Sequence, residues 1–251
     1  MRPRTQPATL RVAVLRHEPE TGLGALAQSL GDAGVEYEIL DTTGAAPLPD
    51  PIDFDGAIAL GGSLGAYDPA LLETRRWIRD AVLRDTPFLG VCLGGQLLAS
   101  ALGGEVEPGL RPEVGVHDVF LTDAARRDAL FAGLPGRLRV FGWHEDTFSL
   151  PRGAIPLAGS MAYANQAFRW GATAYGLQFH LEVRPGDLRR WSHAPGYARL
   201  FEVAGARGDI LEAALEAATP GLEETMRTLI ERWLLLVTGT AAVRGRQRIP
   251  A

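Results

Sequence analysis

The sequence of 251 residues contains a single cysteine, Cys92. One thiol cannot form an intramolecular disulfide, and it cannot supply the several sulfur ligands of a multi-cysteine zinc site. We therefore expect no disulfide, no metal site and no other cofactor. Cys92 itself is either a buried packing residue or a residue with a chemical role.

Long apolar runs and clusters of basic residues are also missing. The first ten residues carry two arginines without a following apolar segment of signal-peptide length, and no run is long enough to cross a bilayer. The formal net charge is -5, and no localised basic patch could neutralise the phosphates of a nucleic acid. The sequence thus predicts a cytoplasmic protein that binds neither membranes nor nucleic acids.

Strand-like and helix-like segments alternate along the first hundred residues. Continuous apolar runs are typical of strands buried on both faces of a parallel sheet, and the helices between them provide the crossover connections. The predicted strands are 11–17, 35–40, 56–60 and 87–92, and the predicted helices are 21–33, 69–84 and 93–102. Beyond residue 113, predicted strands at 114–121, 137–143 and 172–179 have less helix between them. This order predicts an α/β, flavodoxin-like fold with a mixed, mainly parallel sheet flanked by helices.

Chain length and a hydrophobic content of 46% fit one domain, which we expect to span residues 11–239 between disordered ends at 1–10 and 240–251. A last helix is predicted to begin at Pro220, after Thr219 as its cap, and to end before Gly239. Its apolar side chains share one face, which predicts core packing, with a partner interface as the alternative. These side chains are Leu222, Met226, Leu229, Ile230 and Trp233.

The segment from Gly90 to Gln96 (GVCLGGQ) places Cys92 where a predicted strand ends and a predicted helix begins. A nucleophile on such a sharp turn needs small neighbours so that the backbone can fold tightly around it, and Gly90 and Gly94 provide that room. The turn also directs the first N–H groups of the helix toward the sulfur, which favours a thiolate and offers donors to an oxyanion. We interpret Cys92 as a nucleophile, with a buried inert cysteine as the alternative.

A cysteine nucleophile needs a base that is held by a third group. His180 closes an apolar strand-like run, and Glu182 follows at the second position, so both side chains share one face of an extended chain. His144 is the nearest competitor, because Asp146 stands in the same relation to it at the end of another predicted strand. His180 is the favoured base because of a family resemblance.

These motifs resemble those of the class I, triad-type glutamine amidotransferases, a family that includes the glutaminase part of GMP synthetase. The resemblance covers roughly residues 11–185, and this chain is most similar to stand-alone members. It rests on the cysteine turn 90–96, the helix and turn 98–106, and the segment 176–182 that holds His180 and Glu182. In this family the thiolate attacks the glutamine amide, ammonia leaves, and water hydrolyses the γ-glutamyl thioester.

The resemblance extends to residues that bind the substrate. The N–H groups of Gly62 and Leu93 match the oxyanion donors, although Ser63 stands where the family has proline after the two glycines. Residues 143–146 match the family segment that holds the α-amino and α-carboxylate groups, with Glu145 in place of its glycine. The implied substrate-binding residues are Gln96, Trp143, His144, Glu145 and Asp146.

Three functions remain open at this point. The first is hydrolysis of glutamine with delivery of ammonia to an acceptor on a separate synthetase subunit, since no ATP-binding motif is present in the sequence. The second is a stand-alone γ-glutamyl hydrolase, because that reaction differs only in its leaving group. The third is a catalytically silent binding module of the same fold, although Cys92, His180 and Glu182 are all retained.

Overall fold

A mixed β-sheet forms the centre of the molecule. The computed structural model describes residues 9–44, 46–205 and 208–247. Within these residues nine strands form one sheet in the order β2-β1-β3-β4-β9-β8-β7-β5-β6. The structure therefore confirms the predicted mixed α/β fold with flanking helices.

The parallel half of the sheet corresponds to the predicted alternation of strands and helices. Its strands are β1 (Arg11–Arg16), β2 (Glu36–Asp41), β3 (Gly56–Ala59), β4 (Phe88–Val91) and β9 (Ala174–Leu177). Its helices are α1 (Ala25–Asp32), α2 (Leu72–Leu83) and α3 (Leu93–Ala101). Successive residues of β1 enter different cores, since Val12 and Val14 pack on one face while Ala13 and Leu15 pack on the other. Both faces are covered at the centre of the sheet, so every residue of β3, β4 and β9 is buried, whereas β2 at the sheet edge is mostly exposed.

The antiparallel half extends the sheet beyond β9. It consists of β5 (Val106–Leu121), β6 (Arg137–Phe148), β7 (Ile155–Gly159) and β8 (Ala167–Trp170). Strands β5 and β6 pair along most of their length, with an irregularity between Pro108 and Glu113. This hairpin brings residues 143–146 toward the carboxyl edge of the parallel strands, where Cys92 lies.

Three helices follow the last strand: α4 (Pro185–His193), α5 (Pro195–Ala204) and α6 (Gly208–Gln247). The predicted start of the last helix at Pro220 is wrong, because Pro220 lies inside α6. Leu211 and Leu215 are buried before it, and this packing outweighs the local signal for a helix start. The predicted core face of α6 is confirmed, since each of its five apolar side chains is at most 1% exposed.

The prediction of disordered ends is tested only where the structure describes the chain. Helix α6 continues to Gln247, so the prediction of a helix end before Gly239 and a disordered tail from 240 is wrong for 240–247. One glycine costs a helix only about 1 kcal/mol, which is too little to stop it. Residues 1–8 and 248–251 lie outside the described residues. No helix in the described ranges is both long enough and apolar enough to cross a membrane.

Candidate active site

Cys92 occupies a strained turn between β4 and α3. Its backbone has φ 50° and ψ -110°, a conformation that non-glycine residues rarely adopt. Such backbone strain costs about 1–3 kcal/mol and persists only where the surroundings hold it. Here the Cys92 N–H donates to the carbonyl of Leu177 at 2.7 Å. The turn leaves the sulfur at the carboxyl edge of the sheet, as the sequence predicts.

Gly90 and Gly94 allow this turn to close. A Cβ atom at Gly90 would lie 2.3 Å from the carbonyl oxygen of Gly94, and one at Gly94 would lie 2.2 Å from the carbonyl oxygen of Ala59. Both distances are far below van der Waals contact, and both obstacles are backbone atoms. Only glycine fits at either position.

His180 and Glu182 form a buried pair beside the cysteine. His180 Nδ1 lies 2.6 Å from Glu182 Oε1, and the Leu181 N–H donates to the other carboxylate oxygen at 3.0 Å. Backbone hydrogen bonds in both directions between His180 and Phe141 fix the imidazole against β6. Both side chains are about 95% buried.

The charges of this pair support each other. Burial lowers the pKa of His180, but the carboxylate of Glu182 and the sulfur of Cys92 raise it by more. The net result is a pKa of about 10, above the usual 6.5. Burial raises the pKa of Glu182, while the charge and hydrogen bond of His180 lower it, and the net result is a lowered pKa. Each group thus favours the charged form of the other.

Gly61 lies against both His180 and Cys92, and there is little space between the three residues. A Cβ atom at Gly61 would lie 2.9 Å from Cε1 of His180 and 3.5 Å from Cβ of Cys92. The structure thus brings together Cys92, His180 and Glu182, the three residues that the sequence predicts as a triad.

His144 does not face the sulfur with a free nitrogen. Its Nδ1 lies 2.9 Å from the carbonyl oxygen of Asp146, and its Nε2 lies 3.0 Å from Glu113 Oε2. Ser160 and Gln166 donate further hydrogen bonds to Glu113. With both nitrogens engaged, His144 is suited to shaping the 143–146 segment rather than to accepting a proton from Cys92.

Glu113 is a partly buried carboxylate, with 12% of its side chain exposed, that no sequence motif indicated. Burial raises its pKa, but hydrogen bonds from His144 and Ser160 and the charges of His117 and His144 lower it from 4.5 to about 2. A carboxyl whose pKa is lowered on folding stabilises the protein above its unfolded pKa. That stability is lost as the pH falls from about 4.5 toward 2.

We therefore expect Glu113→Gln to lower the free energy of unfolding at pH 7 by about 1–3 kcal/mol. Urea denaturation at several pH values should show this difference shrinking below pH 4.5, because the wild type loses the same contribution there. Glu107→Gln, on an exposed position of the same strand, is the matched control. A difference that stays constant down to pH 2.5 would show that the charge of Glu113 contributes no stability.

A cavity of about 180 Å³ opens beside Cys92. All five predicted substrate-binding residues line it, together with Gly62. Gln96 Nε2 donates to the carbonyl of Asp146 at 3.3 Å and to Gln178 Oε1 at 3.1 Å, so its side chain is held by the protein. The ring of Trp143 packs against Trp191 and Phe201. Its carbonyl oxygen lies 3.7 Å from the sulfur of Cys92.

The two predicted oxyanion donors are available. Within the part of the chain that the structure describes, the N–H groups of Gly62 and Leu93 have no hydrogen-bond acceptor. Leu93 is the first residue of α3, so its N–H lies at the positive end of the helix dipole. Together with Cys92 they place a thiol and two unpaired donors at one edge of the sheet.

Helix α5 supplies cavity residues that the sequence did not indicate. Gly196, Tyr197, Arg199 and Leu200 line the cavity opposite residues 143–146. The spacing of Tyr197, Leu200 and Phe201 is typical of one face of a helix, so a helix could have been predicted there. Its position over the cysteine could not, because it depends on packing with Trp143.

Comparison with known proteins agrees with this geometry. The glutamine amidotransferase class-I family matches residues 23–190, and the chain belongs to that family. A glutamine amidotransferase-like protein of Salmonella typhimurium, YfeJ, is 30% identical over 182 residues, which cover 69% of this chain and 76% of that protein. A subunit of the glutamine-hydrolysing GMP synthase of Archaeoglobus fulgidus is 33% identical over 158 residues, which cover 62% of this chain and 80% of that subunit.

A solved structure is similar to this protein over a larger part of the chain. A glutamine amidotransferase from Thermotoga maritima superimposes with a TM-score of 0.81 and 32% identity, over 91% of this chain and 99% of that one. Against a larger GMP synthase, from Thermomicrobium roseum, the match covers only 23% of the relative's length. The chain thus belongs to the class I glutamine amidotransferases in family and in fold.

Proposed function

We propose that this protein hydrolyses the side-chain amide of glutamine through a γ-glutamyl thioester on Cys92. The observation that carries the proposal is the placement of Cys92, on its strained turn, beside the buried His180–Glu182 pair and two unpaired N–H donors. Family membership supports the general activity. We assign Cys92 as the nucleophile and His180 as the group that transfers protons.

The chemistry follows from the charges around Cys92. The thiolate attacks the amide carbon, and the oxygen that becomes negative receives the N–H groups of Gly62 and Leu93. The imidazolium of His180 gives its proton to the departing ammonia, and the γ-glutamyl thioester remains on Cys92. His180 then removes a proton from water, which hydrolyses the thioester to glutamate and restores the thiolate, while Glu182 keeps the ring oriented.

The charged residues of the cavity fit a free amino acid. Burial raises the pKa of Asp146, the charge of Glu145 also raises it, and the charge of His144 lowers it. Neither Glu145 nor Asp146 has an ion-pair partner among the described residues, so the α-ammonium group of glutamine would supply a cation to this acidic pair. Arg199 lines the same cavity and has no carboxylate partner among the described residues. We assign the α-ammonium group to Asp146 and Glu145, and the α-carboxylate to Arg199.

Arg199→Gln is expected to lower kcat/KM for glutamine by about 10–100-fold, the usual effect of losing a charge-assisted hydrogen bond. Hydrolysis of glutaminamide, in which an amide replaces the α-carboxylate, should change by less than about threefold, since it lacks the group that Arg199 binds. The control is Arg126→Gln, at an exposed arginine paired only with Asp123. Equal losses on both substrates would remove the assignment of the carboxylate to Arg199.

We further propose that ammonia passes to an acceptor site on a separate synthetase chain. The support is the match to proteins that are named as subunits of glutamine-hydrolysing GMP synthases, in Archaeoglobus fulgidus and in Ignicoccus hospitalis. The cavity of about 180 Å³ also suits a single amino acid better than a long γ-glutamyl conjugate.

Glutamate release from glutamine by the purified protein is the direct test, alongside a panel of γ-glutamyl amides and peptides. An ammonia donor should show a low rate alone and a higher kcat/KM for glutamine when extract of the source organism supplies the synthetase. A self-contained γ-glutamyl hydrolase would instead be fully active alone and indifferent to the extract. The absence of turnover on every substrate, with and without extract, would favour a silent binding module.

A further inference from the structure

The loop that carries Gly62 is held by a carboxylate that follows strand β1. Glu18 accepts two hydrogen bonds from Ser63: the Ser63 N–H donates to Oε1 at 2.8 Å, and the Ser63 hydroxyl donates to Oε2 at 2.7 Å. We propose that Glu18 is a positioning residue that sets the Gly62 N–H for the developing oxyanion. This inference rests on the proposed thioester chemistry.

The position of Glu18 relative to Gly62 supports this role. A Cβ atom at Gly62 would lie 3.6 Å from Glu18 Oε1 and 2.8 Å from the side chain of Leu93. Gly62 is therefore enclosed between the carboxylate and the residue that supplies the second oxyanion donor. Since Ser63 is the next residue, fixing its N–H fixes the peptide unit that follows the Gly62 Cα and so limits rotation of the preceding unit, which carries the Gly62 N–H. A small rotation of this loop would move the Gly62 N–H away from the amide oxygen of the substrate.

The same carboxylate is connected to helix α5. The Thr21 hydroxyl donates to Glu18 Oε1 at 3.3 Å, and it lies 2.9 Å from the hydroxyl of Tyr197. Gly196, the neighbour of Tyr197, approaches so closely that a Cβ atom there would lie 2.3 Å from the Ser63 hydroxyl oxygen. Helix α5 thus contacts Ser63 directly and is connected to Glu18 through the Thr21 hydroxyl.

Two effects of Glu18 on the reaction oppose each other. Its hydrogen bonds hold the loop, while its negative charge near the oxyanion disfavours the transition state. A glutamine at this position keeps one acceptor oxygen for the Ser63 N–H and removes the charge. An alanine removes both the charge and every hydrogen bond, so comparing the two variants separates positioning from charge.

The test measures kcat and KM for glutamine hydrolysis in Glu18→Ala, Glu18→Gln, Ser63→Ala and the double variant Glu18→Ala/Ser63→Ala. We expect Glu18→Ala to lower kcat by about 5–30-fold, less than the roughly 100-fold loss of a whole oxyanion donor, because the donor remains but is poorly placed. KM should stay within about twofold, and Glu18→Gln should recover to within about threefold of the wild type. Glu20→Gln, at an exposed position two residues away, is the matched control.

The double variant decides whether Glu18 acts through Ser63. If it does, the loss in the double variant will be smaller than the product of the two single losses. Losses that multiply, a rise in KM without a fall in kcat, or a Glu18→Gln variant as slow as Glu18→Ala would each overturn the proposal.

Amide hydrogen exchange at Ser63, followed by NMR, provides a readout that does not depend on turnover. The Ser63 N–H should exchange at least about tenfold faster in Glu18→Ala than in the wild type, at an unchanged thermal midpoint. Unchanged exchange would overturn the proposed clamp even if the enzyme is active. A wild type that hydrolyses no γ-glutamyl substrate, yet shows the exchange difference, would instead contradict the proposed function and with it the catalytic role of Glu18.

Discussion

Replacing Cys92 with serine should reduce glutamine hydrolysis at least about a thousandfold while the protein remains folded. A serine hydroxyl is far less ionised than a thiol near neutral pH, so the variant lacks the anion that attacks the amide. Glutamate release measures the loss, and thermal unfolding of the same sample shows that the fold is intact.

The backbone of Cys92 offers a second control for this experiment. Cys92→Gly should be as inactive as Cys92→Ser but at least as stable as the wild type, because glycine adopts a φ of 50° without strain. An inactive variant of undiminished stability rules out unfolding as the cause of the loss. Retention of turnover near the wild-type rate in Cys92→Ser would remove the central assignment.

His180→Ala should reduce kcat by about 10³-fold or more, since the variant loses both the proton donor to ammonia and the base for hydrolysis. His144→Ala should retain activity within about tenfold, because both nitrogens of His144 face oxygen atoms of the 143–146 segment and of Glu113. Its main expected cost is stability, as Glu113 loses a buried partner. Steady-state kinetics measure the activity of each variant below its unfolding temperature, and the unfolding temperature itself reports the change in stability.

Glu182→Gln gives an intermediate case. The amide can still hold His180 near its position, but it no longer stabilises the imidazolium, so we expect a loss of about 10–100-fold. We expect the loss of kcat to be largest for His180→Ala, intermediate for Glu182→Gln and smallest for His144→Ala. A larger fall in kcat for His144→Ala than for His180→Ala would transfer the role of base to His144.

The sequence predicts secondary structure correctly where local interactions decide it. The alternation of apolar runs with helical segments predicts the parallel half of the sheet, because strands buried on both faces tolerate few polar residues. Strands β7 and β8 were not predicted. Strand β7 contains Pro156, which argues against a strand, and β8 has only four residues, so pairing with neighbours determines both. The extent of α6 has the same cause, since buried Leu211 and Leu215 carry the helix through Pro220.

For the site, local sequence was enough to predict the residues whose chemistry depends on near neighbours. Cys92 with its flanking glycines lies on the tight turn that the sequence predicts. The extended strand expected for His180 and Glu182 is wrong, because β9 ends at Leu177 and the two residues pair beyond it, in an isolated bridge to Phe141 and the bend that follows. What surrounds these residues depends on tertiary packing. The Glu18–Ser63 hydrogen bonds join residues 45 apart, and Glu113 meets His144 across 31 residues. Arg199 reaches the cavity only because α5 packs on Trp143. Contacts between distant segments depend on how whole elements pack, and no short stretch of sequence specifies that packing.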